Sequence, residues 1–245
     1  MKSLRVISLT FLSLLFVACS APEKKSQTAE DLFKRAQEFE ADDRFEEAIR
    51  RYQEVRSRFP YSPQALEAEL AVADVYYKQE SYPESQVAYQ TFAELHPKHP
   101  KVAYVYFRQA MSLYLQLPET IDRDLSLAPE ALLAFNQVIK KYPSSEFVAE
   151  SESKRLEIVK KMAEKEIYIA DFYFKKKFYS SAVGRYESAA KEYLGIGLDE
   201  KILSHLVLSA VRSGDKAKAR NYADQLERLN NLSSTGKQAL QEARQ

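Results

Sequence analysis

Residues 68–97 constrain the fold more than any other stretch of the chain. Small or aromatic side chains at Ala73, Tyr76, Tyr82, Ser85, Tyr89 and Phe92, closed by Pro97, are spaced as two antiparallel helices joined by a tight turn. Ala73 and Ser85 are small where the two helices cross, and the aromatic residues fill the groove on either side. Pro97 has no amide hydrogen to donate, so the second helix ends just before it. One such hairpin cannot bury its own apolar face and needs neighbours.

The chain supplies them. Upstream, Ala36, Phe39, Phe45, Ala48, Tyr52, Val55 and Pro60 repeat the same order, and the step from Phe45 to Tyr82 is 37 residues. That step is close to the ~34 residues of a tetratricopeptide repeat. Downstream, Ala110 and Leu113 mark a first helix, and Ala128, Ala131, Phe135, Val138 and Pro143 mark a second. A fourth copy, without the closing proline, has Ala170, Tyr173, Tyr179, Ala182, Tyr186 and Ala189; a weak fifth has Val207, Ala210, Gly214, Ala219, Ala223 and Leu226. The expected fold is all-α, a right-handed α-solenoid of about five tetratricopeptide repeats.

Residues 1–18 stand outside that fold. Lys2 and Arg5 make a positive start, residues 6–17 are an apolar run too short for a stable membrane anchor, and Ala18 precedes the only cysteine. The run Phe16, Val17, Ala18, Cys19 resembles a bacterial lipobox, which makes Cys19 the expected lipidation site, carrying a diacylglycerol and an N-acyl chain. A lone cysteine cannot form an internal disulfide. Ser20, in place of the aspartate that marks inner-membrane retention in enterobacterial lipoproteins, implies the outer membrane and a periplasmic face. More than one acyl chain anchors a protein durably without a spanning helix. Loss of Lys2 and Arg5 takes the formal charge of +1 to about −1, so no basic excess argues for nucleic acid. Residues 19–28 read as a polar tether, with Thr28 as N-cap of the first helix and Asp31 three residues on.

Residues 29–115 are expected to hold the N-terminal repeats and a peptide groove, and residues 128–245 the C-terminal repeats and a docking surface. Between them, residues 116–127 interrupt repeat three with a loop containing Asp122, Arg123 and Asp124. His96 and His99 each precede a proline, Pro97 and Pro100, on a turn that itself holds no acidic residue or cysteine, and His205 is distant, so no metal site is expected. Residues 145–177 lack proline and glycine and carry Leu156, Val159, Met162, Ala163, Ile167, Ala170 and Tyr173 at helical spacing. They predict one long helix shared by repeats three and four. Residues 233–245 fit either a helix or a frayed tail.

These departures carry a resemblance over nearly the whole chain. Arg58 to Ser62, Tyr76-Tyr77-Lys78, the His96-Pro97 and His99-Pro100 pairs, Asp122-Arg123-Asp124, Tyr142-Pro143 with Ser145, and Arg155-Leu156 before Glu166, Ala170 and Tyr173 together resemble the BamD family. BamD-like proteins are lipoproteins of the β-barrel assembly machinery in Gram-negative outer membranes. The chain differs in having Leu194 where a proline is expected, in the Gly195-Ile196-Gly197 linker, and in a shorter insertion. The resemblance implies a scaffold that binds a BamA-like barrel protein and works with other Bam lipoproteins. It also implies that unfolded outer-membrane proteins, with their aromatic C-terminal signal, are received on the N-terminal half.

First helices of such repeats line the concave face, which places Phe33, Leu70, Asp74, Tyr77, Tyr104, Phe107, Met111 and Tyr114 in the groove. Tyr77 and Phe107 are the expected client contacts. Arg185 stands where the resemblance implies an arginine that meets BamA, and its guanidinium can bind a carboxylate through two parallel hydrogen bonds.

No glycine-rich phosphate loop, nucleophile elbow or acidic metal cluster marks an enzyme. Two other readings keep their own discriminators. A pilotin-type lipoprotein that escorts a secretin would need a regular solenoid, which the insertion and long helix oppose. A lipid-anchored regulator of a cell-wall enzyme, or an unmarked hydrolase, would show itself by peptidoglycan hydrolysis.

Overall fold

The computed structural model describes residues 27–245, so the signal segment, Cys19 and most of the tether lie outside the described residues. Eleven helices follow in order among them: α1 Ala29–Ala41, α2 Phe45–Arg58, α3 Pro63–Lys78, α4 Tyr82–Leu95, α5 Val102–Leu115, α6 Ala128–Lys141, α7 Val148–Lys175, α8 Tyr179–Tyr193, α9 Asp199–Ser213, α10 Lys216–Glu227 and α11 Ser234–Ala243. Helices pack chiefly on their sequence neighbours, with α1 also on α3, α5 on α7 and α9 on α11. This is the stacking of a solenoid of tetratricopeptide repeats.

Local chemistry sets the starts. Thr28 Oγ1 accepts the Asp31 N–H and the Asp31 carboxylate accepts the Thr28 N–H, a reciprocal cap at the head of α1. Ser62 caps α3, whose first residue is Pro63. The joint inside each hairpin is also repeated. Asp43, Glu80, Lys177 and Gly214 all take left-handed φ, between 56° and 83°. In each, the next N–H returns to a carbonyl five residues back: Arg44 to Phe39, Ser81 to Tyr76, Phe178 to Tyr173 and Asp215 to Ala210. Repeat three replaces this joint with its insertion.

Between hairpins, Phe59, His96 and Tyr142 adopt nearly the same φ and ψ just before Pro60, Pro97 and Pro143. Repeat four has no such proline. There Gly195 and Gly197 adopt φ of 90° and 89°, and both N–H groups are gathered by the Asp199 carboxylate at 2.7 and 3.3 Å. Glycine is needed because a side chain strains that backbone.

The core is a string of clusters along the solenoid. One joins Leu32, Ala36, Tyr52 and Val72; the next joins Leu70, Tyr89, Phe92 and Val105; a third joins Phe107, Leu113, Phe135 and Ile158. The fourth holds Ile167, Ala170, Tyr186 and Ile202, and the last Leu203, Val207, Leu226 and Ala239. The 28-residue α7 contributes Ile158 to repeat three and Ile167 to repeat four, so it does belong to both. It starts at Val148, not at Ser145, because residues 145–147 form a turn in which Ser145 Oγ accepts the Phe147 N–H.

The insertion is held to α7. The Lys161 ammonium donates to the carbonyls of Pro118 and Glu119, and Lys165 donates to those of Asp122 and Arg123 at 3.1 Å each. Leu117 and Leu125 turn inward onto the repeat-three core. The C-terminal segment is a helix. Gly236 of α11 lies so close to α9 that a Cβ there would meet Glu200 Oε1 at 2.5 Å, and the same oxygen accepts from Ser233 and Ser204.

Candidate functional site

The side chains expected in the groove divide into two sets. Asp74, Tyr77, Tyr104, Met111 and Tyr114 reach the face shared by α3, α5 and α7, all half-buried; Phe33 lies at its α1 end, edge-on to Tyr52 at 5.3 Å. Leu70 and Phe107 do not reach it. Leu70 is 2% exposed, packed with Tyr89 and Val105. Phe107 is 5% exposed, stacked on Phe147 at 4.9 Å and edge-on to Phe135. The expected place of both in the groove is corrected, and with it the expected client contact at Phe107. The turn that begins α7 folds Phe147 over Phe107, and Leu70 faces the next repeat.

At the centre of the face Asp74 Oδ1 accepts two phenol hydrogens, from Tyr89 at 2.5 Å and Tyr104 at 2.7 Å. Burial pushes the Asp74 carboxyl up, against the opposing pull of the two phenols and of Arg108. Asp74 borders a cavity of about 600 Å3 whose wall also includes Lys101, Tyr104, Ser145 and Phe147. The cavity thus joins α3 and α5 to the turn before α7.

Arg108, absent from the sequence expectation, lies beside this carboxylate. Its guanidinium carbon sits 4.4 Å from the centre of the Tyr77 ring and 5.2 Å from that of Tyr104. Tyr77 is in turn held edge-on by Tyr82 at 5.6 Å. Among the described residues no carboxylate forms an ion pair with Arg108, and its Nε is buried without a hydrogen-bond partner. A buried donor left so costs about 1–3 kcal/mol. The sequence did carry a signal: the residues three and four away, Tyr104, Val105, Met111 and Ser112, include no acid to pair with it.

Farther along, the Tyr114 hydroxyl donates to Glu157 of α7 at 2.5 Å, and Lys154 lies 4.7 Å above the Tyr114 ring. The face can therefore offer tyrosine rings, two cations held on aromatic surface, Arg108 and Lys154, and, in Asp74, a carboxylate with one oxygen that takes no hydrogen bond among the described residues.

Arg185 lies elsewhere, exposed on α8, with Nη1 3.3 Å from Glu166 Oε2 of α7. His96 and His99 pack on Phe92, but acidic partners absent from their sequence neighbourhood are present in the fold: Glu69 is 3.3 Å from His96 and Glu67 is 4.0 Å from His99. His205 stacks on Tyr186. Among the described residues, no group of three or more His, Cys, Asp or Glu could hold a metal ion, and no helix is long and apolar enough to cross a membrane.

The profile of the family described as "YfiO: Outer membrane lipoprotein" matches residues 25–226. Relatives called outer membrane protein assembly factor BamD are similar over most of their length. The one from Neisseria meningitidis serogroup A is 25% identical over 227 residues, covering 86% of this chain and 85% of the relative. That of Vibrio cholerae is 24% identical, covering 79% and 84%, and that of Rickettsia prowazekii 26% identical, covering 75% and 72%. Among solved structures, the TPR2AB domain of yeast Sti1 in its pHSP90 complex superposes with a TM-score of 0.48 at 12% identity, covering 88% of this chain and 83% of that one.

Proposed function

The chain belongs to the YfiO family of outer membrane lipoproteins, and on that premise we propose that it is a scaffold lipoprotein of the outer-membrane protein assembly machinery, acting by binding and not by catalysis. The observation that carries this reading is the extent of the match, which runs from the tether to the end of α10 and takes in the interrupted third repeat. Cys19 is the lipid attachment point, placing the helices on the periplasmic side of the outer membrane. The tyrosine-lined face of α3, α5 and α7 receives unfolded client chains, with Tyr77, Tyr104, Met111 and Tyr114 as contacts. The C-terminal repeats dock a BamA-like barrel protein through Arg185, and other Bam lipoproteins complete the assembly.

Arg185 suits docking because its one ion pair among the described residues, with Glu166, leaves the rest of its planar fork for an incoming carboxylate. The pilotin reading is disfavoured by the insertion and by α7, which break the regular repeat. The test is a mild-detergent pull-down of the tagged full-length lipoprotein, with Arg185→Ala and Arg185→Glu beside it. A BamA-like barrel protein recovered by wild type and lost with both variants supports the assembly role and the docking residue. Its recovery by all three discards Arg185 alone, and recovery of a secretin in its place discards the assembly role.

A further inference from the structure

The unexplained group on the open face is Arg108, a cation with no carboxylate of its own, set on two tyrosine rings. An arginine on a solvated helix face ordinarily pairs with an acid one turn away, as Arg35 does with Glu38 and Arg51 with Glu54. Here the helix supplies none, and the nearest carboxylate is already engaged: Asp74 Oδ1 takes the hydroxyls of Tyr89 and Tyr104. Tyr104 therefore stands between an acceptor and a cation, with Asp74 at its hydroxyl and Arg108 over its ring. Because Nε is buried, a ligand meets the guanidinium through its terminal nitrogens, whose two parallel N–H groups match the oxygens of a carboxylate. Among the described residues Asp74 Oδ2 takes no hydrogen bond, and Asp74 borders the adjoining cavity, so this oxygen is left to accept a main-chain N–H.

We infer that Arg108 is the anion receptor of this face, binding the carboxylate of an extended peptide while Asp74 accepts a main-chain N–H of the same peptide. The inference rests on the reading of the face as a client groove. The shared ligand chemistry is a peptide carboxylate, which a free C-terminus or an acidic side chain can supply. A phosphate headgroup suits the site less well, because the second oxygen of Asp74 would repel a phosphate but accepts an amide.

The test uses full-length protein in detergent and fluorescein-labelled peptides of about ten residues with alternating apolar and polar side chains, the pattern of a barrel strand. Four probes are titrated by fluorescence anisotropy: the free acid, its C-terminal amide, the amide with one internal glutamate, and vesicles containing phosphatidylglycerol. Wild type should bind the free acid about tenfold more tightly than the amide, equivalent to ~1.4 kcal/mol. Arg108→Met should remove that preference and Arg108→Lys should keep only part of it, with unchanged thermal melting showing that both variants fold. If the glutamate peptide recovers the affinity, the carboxylate comes from a side chain; if only the free acid binds tightly, it comes from a C-terminus. Equal binding of acid and amide, untouched by Arg108→Met, overturns the receptor while leaving the groove. Failure of wild type to bind any peptide overturns the groove reading and the receptor with it. Vesicle binding that depends on Arg108 without a preference among peptides overturns it in favour of a headgroup.

Discussion

Tyr52, Tyr89 and Tyr186 occupy one register position on the second helix of repeats one, two and four, and each gives its buried hydroxyl to a carboxylate, of Glu40, Asp74 and Asp171 respectively. In repeat three the same position is Phe135, and the residue that corresponds to Asp74 is Met111. Hydroxyl and acceptor come and go together, as expected when a buried phenol without a partner is costly. In repeat four, Asp171→Met alone should destabilise by about 2 kcal/mol and Tyr186→Phe alone by about 1–2 kcal/mol. The double variant, which copies repeat three, should cost clearly less than the sum. Urea midpoints of the three variants check this, and simple additivity would remove the pair as an energetic unit.

Asp74 makes a prediction of opposite character. A carboxyl whose folded pKa is raised by burial favours the folded state below its unfolded pKa, and that contribution fades as pH rises through the folded value. Asp74→Asn removes the titration while keeping an acceptor for the phenols. The stability of the variant relative to wild type should therefore improve as pH is raised from about 3 to 8, and a gap independent of pH would mean that Asp74 is not desolvated. The pairings of repeats two and four were readable in principle by aligning the repeats residue by residue; that of repeat one was not, because Gln37 stands opposite Asp74 and the acceptor is Glu40, nearly one turn on. Leu70 and Phe107 were not, because a groove position and a core position on a first helix differ only by which neighbour covers them.

Each regular hairpin turns on one left-handed residue, but only Gly214 is a residue that takes this conformation without strain. Glu80→Gly and Lys177→Gly should each stabilise the chain by about 0.5–1 kcal/mol, and Gly214→Ala should destabilise it by about 1 kcal/mol. Chemical denaturation of the three variants is the measurement; a loss of stability with either glycine would show that its side chain holds the turn. At this scale the sequence was informative wherever a boundary is set by local chemistry. Pro63, Pro97 and Thr28 mark helix ends within their own turn, and the predicted hairpins agree with α1 to α4. The tail was undecidable because α11 is fixed by Glu200, far away in sequence, and by the close approach of Gly236. The anchoring of the insertion was hidden for the same reason, since its lysines lie more than forty residues downstream.

On the scale of the whole molecule, α7 is the covalent link, and among the described residues the chief packed one, between the first three repeats and the last helices. At 1.5 Å per residue its 28 residues span about 42 Å. Glu164, exposed at its middle, makes no side-chain hydrogen bond or ion pair among the described residues. Glu164→Pro should cost about 3 kcal/mol locally and separate one cooperative unfolding transition into two, one for α1 to α6 and one for α8 to α11, while Glu164→Gly should cost about 1 kcal/mol and leave a single transition. Calorimetry distinguishes these outcomes, and one unbroken transition in the proline variant would show that the halves communicate without the helix. The same helix holds the insertion by hydrogen bonds to its main chain: Lys161 and Lys165 grip carbonyl oxygens, which every amino acid possesses, while the Asp122 and Asp124 carboxylates add only an attraction to Lys165. A substitution at positions 122–124 therefore leaves those hydrogen bonds in place, so that the surface of the loop can change while this attachment stays the same.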